Sequence, residues 1–116
     1  VWQARALGTP DLHPAIRFGS GTFLEAVLTF LLVFVFWATV VDERAPKIAG
    51  FGVGLTLCAS ILMGGALTGA SLNPARTFGP AMASGHWNNH LAYWIGPLLG
   101  AAAAALLYNG ILLKRR

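Results

Sequence analysis

The residues best suited to chemistry lie in Thr68-Gly69-Ala70-Ser71-Leu72-Asn73-Pro74-Ala75-Arg76-Thr77-Phe78-Gly79-Pro80. Asn is a good N-cap, and Pro at the first helical position loses no hydrogen bond. Asn73-Pro74-Ala75 therefore predicts a helix start. With its oxygen turned back onto the helix, Asn73 keeps its NH2 for whatever lies in front. Arg76 falls in the first turn, at the positive end of the helix dipole. Its charge cannot be relieved by deprotonation, so it must see water or carbonyl oxygens. A dipole end and a fixed cation repel cations, hydronium included, yet offer donors to a neutral polar solute. That chemistry is selection rather than bond making.

Other chemistries find few residues. The acids are Asp11, Glu25, Asp42 and Glu43, three of them in polar loops. An intramembrane enzyme would need a nucleophile–base pair or paired acids, so no enzyme is expected. His86-Trp87-Asn88-Asn89-His90 has the i, i+4 spacing of a metal pair. No carboxylate or Cys is expected nearby to complete a site, so the reading is loop and interface hydrogen bonding, with no metal and no cofactor. Glu25 stands inside an apolar run, where a carboxylate is costly unless hydrogen-bonded, commonly to backbone N–H groups. Cys58 reads as a small packed residue.

The elements that must position Asn73 and Arg76 follow from the apolar runs. A helix from Pro74 to about Ser84 is roughly 16 Å long, half a bilayer. Too short to span and too apolar for water, it is expected to be re-entrant, lined by protein or a water cavity. Three longer runs flank it, at about 23–41, 48–67 and 91–113. The first, at about 1.5 Å per residue, covers about 28 Å of the ~30 Å hydrocarbon. Residues 1–20, broken by Gly8, Pro10, Pro14 and Gly19, read as an extracellular loop. Gly50 and Gly54, and Gly96, Gly100 and Ala104, recur at spacing four as seams for close helix packing. Trp2, Trp37, Trp87 and Trp94 read as an interfacial belt.

Composition agrees. Among 116 residues there are 8 Lys+Arg and 4 Asp+Glu, where a soluble domain would carry about 29 charges. Between Lys47 and Lys114, Arg76 is the only one of these four types. A soluble domain, a disordered chain and a nucleic-acid binder are all excluded by that pattern. If the 42–47 turn and the C-terminus share a side, Arg44, Lys47, Lys114, Arg115 and Arg116 lie there, with Arg5 and Arg17 opposite. The positive-inside rule then puts the C-terminus in the cytoplasm, most simply in the cell membrane.

The Asn73-Pro74-Ala75-Arg76 segment, with Thr68-Gly69-Ala70-Ser71 before it and Phe78-Gly79-Pro80 after it, resembles the second signature loop of the aquaporins, or major intrinsic proteins. Phe23-Leu24-Glu25 with Thr29 resembles the start of that family's fourth span. Asn89-His90 with Tyr93-Trp94-Ile95-Gly96-Pro97 resembles its sixth. The resemblance covers roughly residues 20–113. It implies an all-α membrane protein with three transmembrane helices and one re-entrant half-helix, one inverted repeat of the aquaporin-like hourglass fold.

The same resemblance assigns roles one residue at a time. Asn73, with Pro74 and Ala75, would be a pore asparagine donating to a single file of water. Arg76, with Ile61 and Ala70, would form the selectivity filter. Ile61 falls where many water-selective members have His, and Ala70 where some have a mercury-sensitive Cys. Ile61 resembles the tonoplast-intrinsic pattern, often permissive for ammonia as well as water. Thr77 replaces the Asp typical of glycerol facilitators, and Tyr93-Trp94 resembles the water-channel aromatic pair. Glu25 would brace the re-entrant loop from behind the pore. A homotetramer in the lipid bilayer is the assembly implied.

One departure stands out. The family is built from two inverted repeats, each with an Asn-Pro-Ala, and this sequence holds one. It opens Val1-Trp2-Gln3-Ala4-Arg5, without Met or leader. The expectation is therefore a fragment whose N-terminal repeat is missing. The alternatives are a half-size channel pairing antiparallel and a non-conducting membrane interaction module.

Overall fold

The computed structural model describes residues 6–114. Trp2, Arg5, Arg115 and Arg116, used above for the interfacial belt and the charge count, lie outside them. Four helices follow one another: α1 (Phe18–Phe36), α2 (Ala49–Thr68), α3 (Pro74–Ser84) and α4 (Ala92–Leu107). Wider, π-type turns extend α1 over Trp37–Val41 and α4 over Tyr108–Leu113. There is no strand among the described residues.

Three of these units are long and apolar enough to cross a bilayer: Phe18–Val41 with 24 residues, Ala49–Thr68 with 20 and Ala92–Leu113 with 22. α1 begins five residues before the apolar run at Phe23. Its first turn, Phe18–Thr22, is helical because Gly21 N–H already bonds Arg17 O at 2.9 Å. The outer faces carry large apolar side chains, with Leu62 81% and Phe23 72% exposed. Helices that are apolar all round belong in lipid. The interior is smaller and more polar, holding Glu25, Thr29, Ser60, Thr68, Ser71 and Thr77 beside Leu28, Ala92 and Tyr93.

Close backbone approach holds α4 on α1. A Cβ at Gly96 would stand 2.6 Å from Thr22 O, and one at Gly100 would strike the Ala26 carbonyl. This seam is the one expected from Gly96, Gly100 and Ala104. The Gly50–Gly54 seam is not used among the described residues, since a Cβ at either would meet nothing within 4 Å. Gly64, which faces Leu28, does that work on α2 instead. Cys58 likewise is exposed rather than packed, because it lies on the face of α2 that α1 does not cover.

The 6–17 loop folds down over one end of the bundle. Leu12 is buried against Ala92 and Tyr93, and His13 N–H donates to Leu67 O at 2.7 Å. Asp11 gathers Asn89 Nδ2 at 2.9 Å and His86 Nε2 at 2.6 Å. Thr9 Oγ1 meets Ser84 Oγ at 2.9 Å. A short polar loop thus ties the far end of α3 to the start of α1.

At the opposite end Asp42 is buried and closes the α1–α2 turn. It accepts from Arg44 Nε at 2.9 Å and Arg44 Nη2 at 2.7 Å, and from Tyr108 OH at 2.9 Å. Arg44 Nη2 also reaches Leu112 O at 3.1 Å, joining the turn to the end of α4. Trp37 stacks on Tyr108 with centroids 6.2 Å apart. The side-chain and backbone hydrogen bonds from Arg44 hold the Asp42 carboxyl far below the usual carboxylate range. A carboxyl depressed in the folded state stabilises above its unfolded value and stops doing so only as pH falls through the folded one. The latch should therefore survive acidification that protonates ordinary aspartates. Carboxyl NMR titration should place Asp42 well below that range, and Arg44→Ala should move its midpoint upward.

Candidate functional site

The end of α2 shows why the chain can turn here inside a bilayer. The last carbonyls of a helix have no intrahelical partner, and in α2 three separate groups supply one. Gly69, left-handed at φ 83°, donates to Gly65 O at 3.0 Å. His13 N–H caps Leu67 O, and Tyr93 OH donates to Thr68 O at 2.5 Å. Beyond Thr68 the backbone stays irregular, with Ala70 at φ 44° and Leu72 at φ 57°. An L-residue in this region costs about 1–2 kcal/mol, so something must hold the loop.

Glu25 does so, from α1. It is fully buried. Its Oε1 accepts from Thr68 Oγ1 at 2.6 Å and Ser71 N–H at 3.0 Å, and its Oε2 from Leu72 N–H at 2.8 Å. All three contacts are donors to the carboxyl oxygens. Thr29, one turn along α1, reaches Leu72 O at a long 3.5 Å. Ala70 and Leu72 pack on Leu28, the residue between them on the same face of α1.

The loop delivers the chain to α3. Asn73 caps it from an extended conformation, φ −151°, with Oδ1 accepting from Ala75 N–H at 2.9 Å and Pro74 at N1. Ser71 Oγ donates to Asn73 O at 2.8 Å and meets Thr77 Oγ1 at 2.6 Å, both hydroxyls being buried. With its proton on Asn73 O, Ser71 accepts from Thr77, so the loop is stitched to the second turn of α3. Arg76 Nη1 donates to Ser71 O at 3.3 Å. Asn73 and Arg76 both remain exposed, and the Asn73 NH2 makes no hydrogen bond among the described residues.

Glu25, Ala70, Asn73, Pro74, Ala75 and Arg76 thus form one connected unit. Ile61 is exposed on α2 and takes no part in its hydrogen bonds. The Ala70 methyl does not line the open face, as its place in the filter required. It is completely buried, because the left-handed backbone turns it into the Leu28–Leu72 cluster. His86 and His90 point to separate partners, His86 to Asp11 and His90 Nε2 to Trp94 Nε1 at 2.9 Å. No group of three His, Cys, Asp or Glu among the described residues is arranged to hold a metal. Sequence reasoning missed the linking roles of Thr68, Ser71 and Tyr93. The small hydroxyls between Thr68 and Thr77 were the available signal, since they lie where a buried loop must satisfy its backbone.

Three apolar helices with a half-helix capped at mid-chain and a buried carboxylate behind its loop define one repeat of a membrane channel fold. The family model described as Major intrinsic protein matches residues 2–108, and the chain belongs to that family. It is 44% identical over 114 residues to "Aquaporin TIP4-1" of Arabidopsis thaliana, covering 94% of this chain and 46% of that protein. With "Aquaporin TIP1-2" of Musa acuminata it shares 51% over 104 residues, 87% of this chain and 41% of the relative. Among solved structures, the aquaglyceroporin from Plasmodium falciparum superposes with a TM-score of 0.73 at 25% identity. That match covers 91% of this chain and 50% of the other. The chain spans less than half the length of these two curated relatives. It is an integral, multi-pass membrane protein with an aquaporin-like fold.

Replacing Glu25 tests the brace. Glu25→Gln turns one acceptor into a donor facing a buried N–H, which costs about 1–3 kcal/mol for the amide left unpaired. Thermal unfolding in detergent should show that loss, and Glu25→Ala a larger one.

Proposed function

We propose that this repeat forms one wall of a passive channel for water that also admits ammonia and other small neutral solutes and excludes protons and ions. The observation that carries the reading is the pairing of two exposed donors at one helix start, the free Asn73 NH2 and the Arg76 guanidinium. Here the positive end of α3 adds to the arginine's charge, so a cation meets repulsion where a neutral solute finds hydrogen bonds. Ile61 supplies an apolar counterpart on α2. Ala70 shapes the constriction through its backbone, its methyl being turned away. Ile61 resembles the tonoplast-intrinsic pattern, and that resemblance supports ammonia beside water.

The pore needs an opposing wall. On α3, Phe78, Gly79 and Met82 are exposed, as is the start of the half-helix. Irregular backbone at membrane depth is tolerated only against protein or a water-filled cavity. A second, inverted repeat with its own Asn-Pro-Ala is the cover that fits, and this chain contributes half of the channel. The assembly carried over from the family is a homotetramer. Arg44, Lys47 and Lys114 lie beyond the ends of their helices, and the positive-inside rule assigns that side to the cytoplasm.

The test is transport by the complete two-repeat channel in liposomes. Stopped-flow shrinkage should exceed that of empty vesicles, and Arg76→Val should raise proton leak several-fold while water flow persists. A folded preparation with no excess water flow would overturn the channel. An unchanged leak in the variant would remove Arg76 from the filter.

A further inference from the structure

Tyr93 is fully buried, its ring packed with Leu12 and Ala92. It lies on α4, away from the exposed donors, yet its hydroxyl ends on Thr68 O at 2.5 Å. Thr68 is the last residue of α2 and the start of a short chain of contacts. Its hydroxyl reaches Glu25 Oε1 and accepts from Ala70 N–H at 3.1 Å. Glu25 also holds Ser71 N–H, and the carbonyl of Ser71 receives Arg76 Nη1. From these links we propose that Tyr93 is a positioning residue of the constriction. Its hydroxyl fixes the point from which the 69–72 loop carries Arg76.

The loop hangs between two tethers. Glu25 holds it from α1, at Thr68 Oγ1 and at the amides of Ser71 and Leu72, and Tyr93 holds the Thr68 carbonyl from α4. Glu25 alone leaves that carbonyl, and with it the peptide plane that opens the loop, without a partner. With both tethers the plane has a single orientation, and the Ser71 carbonyl that receives the guanidinium is set with it. A site that selects by size and donor placement depends on tolerances of about 0.5 Å. Phenylalanine keeps the packing at 93 and deletes only the donor, leaving Thr68 O buried without a partner. The Tyr108 hydroxyl, which donates to Asp42 at the opposite end of the bundle, has no part in the loop and serves as the control.

This inference rests on reading the loop as a pore wall. In the complete channel in liposomes, water and urea permeabilities are measured on the same preparation, so that their ratio does not depend on the folded fraction. Tyr93→Phe should lower the water-to-urea ratio by about threefold or more, a modest effect for a residue one step removed from the solute. Tyr108→Phe should leave it unchanged, and 4-aminophenylalanine at position 93, which keeps a donor, should restore it. A wild-type ratio in Tyr93→Phe would overturn the role, as would an equal change in Tyr108→Phe. If Tyr93→Phe fails to assemble while the 4-amino variant assembles, the hydroxyl is a folding requirement and the positioning role falls. Failure of the pore reading is distinct, since wild-type vesicles would then conduct no more water than empty ones.

Discussion

A chain that stops being helical inside a bilayer must find partners for every amide it releases, and Glu25 supplies them for the 68–72 turn. Lipid offers no hydrogen-bond partner at that depth, and each unsatisfied group costs several kcal/mol. Two non-glycine residues, Ala70 and Leu72, adopt left-handed backbone within this turn. The carboxylate offsets that strain with three short contacts, two of them to the amides of Ser71 and Leu72. The buried acid is thus a scaffold for the loop.

The rest of the architecture serves that contact. α1 must present Glu25, Leu28 and Thr29 to the loop, and its closeness to α4 comes from Gly96 and Gly100. α4 in turn brings Tyr93 to the end of α2. At one end of the bundle, Thr9 binds the last residue of α3 and Asp11 the residues that follow it. At the other, Asp42, Arg44 and Tyr108 keep α1, α2 and α4 in register. The half-helix α3 is fastened through Ser71 and Thr77 and left open elsewhere. The Asn73 amide and the Arg76 guanidinium therefore face outward from a fixed helix start.

Much of this was legible in the sequence, for identifiable reasons. The three apolar runs, the short helix after Asn73-Pro74 and the Gly96–Gly100 seam each follow from local rules of length, capping and residue size. The need to hydrogen-bond Glu25 followed from its placement in an apolar run. Geometry hid the rest. The burial of the Ala70 methyl depends on a positive φ that Ala does not advertise. Exposure of Cys58 and Gly54 depends on which face of α2 meets α1, and α2 is apolar on every face. The hydroxyls of Tyr93, Thr68 and Ser71 pair with residues 25 and more positions away or across a turn, so no local pattern announces them. The 6–17 loop, read as merely polar, is packed because Leu12 and Asp11 happen to meet α4 and the turn before it.

The central claim is that Glu25 holds the loop by its amides. Site-resolved hydrogen exchange on the protein in lipid tests it most directly, at Ser71 and Leu72, which have no helical partner of their own. The account predicts protection of both amides comparable to the middle of α1, with neighbouring loop and turn amides exchanging faster. Exchange of Ser71 and Leu72 at the rates of an open loop would contradict it.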